Sequence, residues 1–407
     1  MGSQTSVQEM PLHCRLLLSL LSLAVGTAVW LPSLRFVFRP GRDQFRSEVD
    51  VAPMARELAR RHVDLWMQPE GGTADIDVMR INNPEWDFMG RTFLVLSLAN
   101  MCLHEPELRH TYLPVIDRII EDTDRIAQTK GIEYFLLRYA TESQFVQQPV
   151  RSIFVDGELA LMMGARRFLA EHERFRERMR ELVHITADRM AVGPVLSCES
   201  YPNECWIFCN TVALAAIKMH EILDGEDHGQ LLRDWVATAQ RKLVHKETGL
   251  LCSSYTYDGQ MLDGPEGSTL WTAAHCLQIV DEAFAEDQYR RAKSEIAHQY
   301  LGFGWAGEWP SSWLGPMDVD SGPVIPILDV GAGSSGQAFV AAASFGDTEY
   351  YRSLATTLMF AGFPQVRDGR MRFCASNQVG DAVLLYSTVA GPLWGLIRER
   401  SRGGAMR

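Results

Sequence analysis

The sequence predicts an all-α protein: an (α/α)6 barrel of helical hairpins preceded by an N-terminal hydrophobic helix. Three observations carry that prediction. Apolar residues recur at helical spacing through about twelve consecutive segments from Val51 onward. The segments alternate between mostly apolar ones that open on small residues and charged, amphipathic ones. Pro, Gly and acidic residues gather in the connections, and no low-complexity linker divides the chain. A toroid needs this alternation, with inner helices around a centre and outer helices facing water. At 407 residues with 46% hydrophobic content, 10 Trp and 18 Phe, the core can be large. A net charge of −12 without a basic stripe argues against nucleic acid as a partner. Eight scattered cysteines form no disulfide framework and lean toward a reducing compartment.

Residues 16–34, LLLSLLSLAVGTAVWLPSL, are uncharged and just long enough to span a bilayer. Arg35, Arg39, Arg42 and Arg46 follow, whereas Arg15 and Glu9 precede. Positive residues stay cytoplasmic, which favours a membrane anchor with the catalytic domain inside the cell. A cleaved signal peptide is the rival, against a nearly uncharged n-region and no A-x-A site. MGSQTS also fits the myristoylation pattern, with Cys14 a palmitoyl candidate, although such a match is cheap. Residues 1–45 are therefore an N-terminal anchor-like segment, and residues 50–400 a single barrel domain.

The barrel segments run in order through VAPMARELARRHVDLWM, DFMGRTFLVLSLANMCL, TYLPVIDRIIEDTDRIAQ, VDGELALMMGARRFLA, RFRERMRELVHITADRM and CWIFCNTVALAAIKMHEIL. They continue through HGQLLRDWVATAQRKL, STLWTAAHCLQIVDEAF, EDQYRRAKSEIAHQYL, GSSGQAFVAAASF, TEYYRSLATTLMFAG and GDAVLLYSTVAGPLWGLI. Loops at Gln68–Glu85, Gly259–Gly267 and Gly304–Gly333 fall between hairpins, where such barrels build their sites.

Chemistry concentrates in Val192–Thr211, VGPVLSCESYPNECWIFCNT, which holds Cys198, Cys205, Cys209, Glu199, Glu204 and Tyr201 just before an apolar helix at Trp206. The cysteine spacings give no CxxC pairs and no His is adjacent, so no metal is expected there. As single residues these cysteines read equally well as small buried hydrophobes. In Phe154–Gly164, FVDGELALMMG, Glu158 enters a helix otherwise fit for burial. Burial without a cation raises a carboxyl pKa and makes a general acid; pairing with Arg151 is the bland alternative. Asn83-Pro84 reads as an N-cap with Pro in the first turn, where Glu85 and Asp87 suit the helix dipole, while Trp86 and Phe88 line a pocket. Tyr255, Tyr257 and Glu266 can face the cavity from a loop, with Trp271 and His275 one turn apart on the next helix. Asp318 and Asp320 share a side if extended, and can share a proton or bind a hard metal.

The segment of Pro, acids, aromatics and Cys209-Asn210 before a long apolar helix resembles the cysteine segment of bacterial linalool dehydratase/isomerase, with the likeness running from about residue 50 to 397. The resemblance implies the same barrel and a pocket for a terpene alcohol. It places a proton-handling Asp at Asp64, beside the aromatic Trp66, and puts Glu158 where the family has a histidine that bonds the substrate oxygen. The family's tyrosine has no counterpart, since Gln68-Pro69-Glu70-Gly71 stands there. Cys209 aligns with the second family cysteine; the first falls on Ser200 without a gap or on Cys198 with one.

The expectation is a cofactor-independent lyase, isomerase or cyclase of isoprenoid alcohols or alkenes. Asp64, Glu158, Cys209, Glu204 and Tyr201 would do the chemistry. Trp66, Trp86, Phe88, Cys198, Trp206, Tyr255, Trp271, His275, Asp318 and Asp320 would contact a small hydrophobic substrate. Asp64, Glu158, Cys209 and Asp320 are expected to meet in one pocket. Carbohydrate chemistry, with GWAGEWPSSW as a stacking surface, and a non-catalytic membrane-tethered binder are the alternatives. A homo-oligomer is allowed.

Overall fold

Several barrel helices start where the sequence supplies a cap. In the computed structural model, which describes residues 11–41, 43–67, 73–319 and 321–404, Asn83 Oδ1 accepts from the Trp86 amide at 3.1 Å and Pro84 takes the first turn. Asp281, Asp347 and Asn377 cap three later helices through the amides of Phe284, Tyr350 and Gly380. The helices are α1 (Leu12–Phe38), α2 (Pro53–Met67), α3 (Thr73–Asn82), α4 (Pro84–His104), α5 (Arg109–Lys130), α6 (Ile153–Leu169), α7 (Glu173–Val192) and α8 (Ile207–Asp224). They continue with α9 (Gly229–Lys242), α10 (Gly267–Leu277), α11 (Glu282–Ile296), α12 (Ala332–Ser344), α13 (Thr348–Ala361), α14 (Gln378–Val389) and α15 (Pro392–Gly404).

Helices α4, α6, α8, α10, α12 and α14 each pack on the next, and α14 returns to α4, which closes a ring. Helices α2, α5, α7, α9, α11 and α13 alternate with them in sequence and form the outer layer, as the two kinds of segment predict. Inner helix α6 is buried along its whole length, whereas outer α7 buries one stripe. Because each outer helix returns the chain, the six inner N-termini gather at one end, the mouth.

Two segments read as continuous helices are broken. The Gly267–Leu277 helix stops before Asp281 because that residue caps α11, and α14 parts from α15 at Gly391-Pro392 with a bend of 53°. Helix α15 then turns inward against α4 and α8, and its Trp394 ring stacks on His275 with centroids 4.4 Å apart. It plugs the end opposite the mouth. The mouth loops also carry short strands that helical periodicity does not announce. These are β1 (Cys205–Trp206), β2 (Ser254–Tyr255) and β3 (Met261–Asp263) in one sheet, then the hairpins β4–β5 (Ala297–Tyr300, Phe303–Ala306), β6–β7 (Val324–Ile325, Val330–Gly331) and β8–β9 (Pro364–Arg367, Arg370–Phe373).

Helix α1 is long and apolar enough to cross a membrane and lies unburied outside the barrel, touching α13 through Phe38 and Phe360. The residues after it belong to the barrel. Phe45 is buried against Phe339 and Tyr351, and Arg46 donates to the Ser387 and Ala390 carbonyls at 2.9 and 2.7 Å.

The α6–α8 contact sets the geometry of the site. Gly157 lets the two backbones approach so closely that a Cβ there would stand 3.0 Å from Ala213 Cβ and 3.2 Å from its Cα. Gly157→Val is therefore expected to cost ~1–3 kcal/mol by overpacking, read as a lower midpoint in chemical denaturation, with Gly157→Ala milder. Equal midpoints for wild type and the Val variant would show that the contact yields freely.

Candidate active site

The close crossing of α6 and α8 brings Glu158, in the second turn of α6, toward Cys209, in the first turn of α8. Both are buried. Thr92 on α4 donates its hydroxyl to Glu158 Oε2, while Oε1 has no hydrogen-bond partner among the described residues. Arg151, the cation that would have neutralised Glu158, instead forms a bidentate pair with Asp156 at 2.6 and 2.7 Å. Burial pushes the Glu158 carboxyl up to about 8, the Thr92 hydrogen bond opposes that rise, and the Glu85 charge adds to it. Glu158 thus holds its proton at neutral pH.

A second proton group stands beside it. Tyr201 is buried; its hydroxyl donates to Glu85 Oε1 at 2.6 Å and accepts the Leu137 amide at 2.8 Å. Burial and the Glu85 charge keep the phenol protonated by raising its pKa. Tyr139 stacks on Tyr201 with centroids 4.3 Å apart and donates to Glu204 Oε1 at 3.2 Å; the Trp206 indole donates to the same oxygen. Glu85, Trp86, Glu204 and Trp206 are half-buried, so the rim reaches solvent while Glu158 and Cys209 form the floor. Phe88 packs between Phe135 and Phe154, centroids 4.6 and 5.2 Å away, in the wall behind.

The cysteines divide. Burial drives the Cys209 thiol well up, the Ser200 hydroxyl bonds to it and opposes that shift, and Glu158 and Glu85 add to it. Cys209 is therefore a protonated thiol, not a nucleophile. Ser200 occupies the place beside it. Cys198, expected at the substrate, aims its Sγ at the Thr186 carbonyl on α7, 3.8 Å away, and burial pushes its thiol up to about 12. Glu199 is a loop latch, since its carboxylate accepts the amides of Val146, Gln147 and Asn203.

Several other expectations change. Asp64 lies on the outer helix α2 with a third of its side chain exposed, and receives Arg370 Nε at 2.5 Å, so it stands apart from Glu158 and Cys209. Trp66, on the same helix, lines an outer cleft of ≈ 580 Å³ between α2 and α5 under the Arg91 guanidinium. Another cleft of ≈ 420 Å³ lies between α1 and α13, and neither cleft is lined by Glu158 or Cys209. Tyr255 donates to Ser197 in the core, and Trp271 donates to Ser334 with its ring toward Tyr289 and Tyr350 of the outer layer. His275 is held between Tyr386 and Ser344 over the α15 plug, far from the mouth. Trp309 and Trp313 stack on each other in the interior, which removes them as an open sugar platform. Asp318 is exposed; Asp320 and Gln68–Gly71 lie outside the described residues.

Glu85 and Thr92 are the candidate site residues that sequence reasoning missed. They lie seven positions apart, two turns on one face of α4, and that face also faces Glu158. Asp381, buried in the first turn of α14, takes Arg61 at 2.9 Å, and burial lifts it to about 7.

Six helical hairpins around a mouth of buried carboxylates define an (α/α)6 toroid of the kind that carries enzymes. Residues 155–378, more than half of the chain, match the family model of linalool dehydratase/isomerase, and the chain belongs to that family. Among solved structures, the GH76A α-1,6-mannanase from Salegentibacter sp. HEL1_6 matches with TM-score 0.50 and 12% identity, over 82% of this chain and 97% of that one. The GH76 α-mannanase from Bacteroides thetaiotaomicron matches with TM-score 0.48 and 11% identity, over 76% and 87%. At these identities the likeness to the Salegentibacter enzyme is one of fold.

Proposed function

We propose that this protein is a cofactor-independent lyase, isomerase or cyclase acting on an uncharged isoprenoid alcohol or alkene. The observation that carries the reading is the buried Glu158, paired with no cation among the described residues, beside the Tyr201–Glu85 pair. Glu158 gives its proton to the substrate hydroxyl, the C–O bond breaks, and water leaves an allylic cation. Glu85, relayed through Tyr201, takes a proton from the neighbouring carbon, whose C–H electrons form the new double bond. Tyr139, Trp206 and Phe88 supply aromatic faces that favour the cation. Family membership supports the substrate class. Incubating the purified protein with C10–C20 terpenoid alcohols should give dehydrated or rearranged products by mass spectrometry; conversion of oligosaccharides alone would overturn the reading.

In this proposal α1 anchors the barrel at the membrane from which a lipophilic substrate is drawn, with the arginine-rich end cytoplasmic. Deleting residues 1–40 should move the protein to the soluble fraction with its fold intact. Deleting residues 1–46 should destabilise it, because Phe45 and Arg46 go too. A 1–40 deletion that stays with membranes refutes the anchor.

A further inference from the structure

Toward the far end of α8 from Cys209, where His220 stands about 16 Å along the helix at 1.5 Å per residue, three histidines and a carboxylate converge. His184 comes from α7, His220 from the last turn of α8, and Glu226 and His228 from the turn after it. One ligand atom from each of His184, His220 and Glu226 lies within 4.8 Å of the others. His184 Nε2 is 2.5 Å from Glu226 Oε2, and His220 Nε2 is 4.0 Å from Glu226 Oε1. The His228 ring centre is 5.6 Å from that of His220 and 6.3 Å from that of His184.

Hydrogen bonding joins His184 to Glu226 but does not account for the other two histidines. His220 is fully buried, yet neither of its ring nitrogens makes a hydrogen bond among the described residues, and the buried Nε2 of half-buried His228 also lacks a partner there. A buried imidazole with two unmet nitrogens is costly unless something supplies a partner. Asp224 lies 3.3 Å from His220 Nε2 but is already committed to Arg167, at 2.8 Å through both oxygens, and to Arg176 at 3.2 Å. It is thus placed to orient His220 and not to serve as a ligand.

We propose that His184, His220 and Glu226, with His228 as the fourth donor, form a site for a divalent transition ion of the zinc type. Imidazole nitrogens with one carboxylate suit zinc, whereas magnesium and calcium demand mostly oxygen. Tetrahedral zinc with bonds of ~2.0–2.1 Å sets its ligand atoms roughly 3.3 Å apart, so small side-chain rotations close the present spacing. His184 and Glu226 keep 46% and 39% of their side chains exposed, which gives the ion a way in. Bound there, it ties α7 to the turn after α8 and leaves the mouth untouched.

The test uses the full chain in detergent, stripped with chelator, its thiols blocked so that the eight cysteines do not compete, then titrated with Zn²⁺ or Mg²⁺. The expected result is one zinc per chain by elemental analysis and a higher melting temperature with Zn²⁺ alone. His220→Asn risks misfolding, so the half-exposed positions decide between the outcomes. His184→Asn and Glu226→Gln should each weaken zinc binding by at least the ~10–100-fold that loss of an outer-shell partner costs, with unchanged melting in chelator. Zinc binding in both variants as tight as in the parent, no binding after thiol blocking, or an equal rise with Mg²⁺ would overturn the site.

Discussion

Glu158→Gln is expected to lower turnover ~10²–10⁴-fold, the usual cost of losing a general acid, on any terpenoid alcohol that the wild type converts. Glutamine keeps the shape and the Thr92 contact but has no proton to give. Glu158 is buried, Arg151 is committed to Asp156, and no cation among the described residues draws its proton away. Cys209→Ser should cost less: burial keeps that thiol protonated, and a serine hydroxyl still bonds Ser200. Measuring kcat for both variants with products quantified by mass decides the matter. Near-full activity in Glu158→Gln, or a heavier loss in Cys209→Ser, would return the thiol to the centre of the mechanism.

The barrel was legible because burial imposes a period. Alternation of apolar and amphipathic helices follows from one layer facing inward and the other facing water, and the inner ring closes in that order. What the period did not carry were the ends. The break at Gly391-Pro392 that sends α15 inward is a two-residue event inside an apolar run, and the mouth hairpins are strands of two to four residues. Glu158 was legible because an acid in an apolar helix is an anomaly that demands a reason. Glu85 was hidden because the first turn of any helix welcomes an acid, so the dipole already explained it. Aromatic residues misled most. Trp271 and Tyr255 have the composition of a pocket wall, but each spends its polar atom on a core serine. Asp64 was inferred from the family resemblance; its partner in the fold, Arg370, lies more than 300 positions away, beyond the reach of a local pattern.

The same burial that arms Glu158 should also cost stability as the solution becomes alkaline, and Glu158→Gln should remove that cost. In the unfolded chain the group titrates near 4.5, and in the fold burial lifts it to about 8. Between those values the folded state binds more protons than the unfolded one, so stability falls as pH rises and levels off above about 8. At ~1.4 kcal/mol per unit the full shift corresponds to roughly 4–5 kcal/mol. Other buried groups titrate in the same window, Asp381 near 7 among them. The informative quantity is therefore the difference between wild type and Glu158→Gln in urea midpoints across pH 4 to 9. That difference should be small at pH 4, grow in favour of the Gln variant through pH 5 to 8, and then hold constant. A difference that stays flat across the range would mean that Glu158 is ionised in the fold, and with it the general acid would be lost.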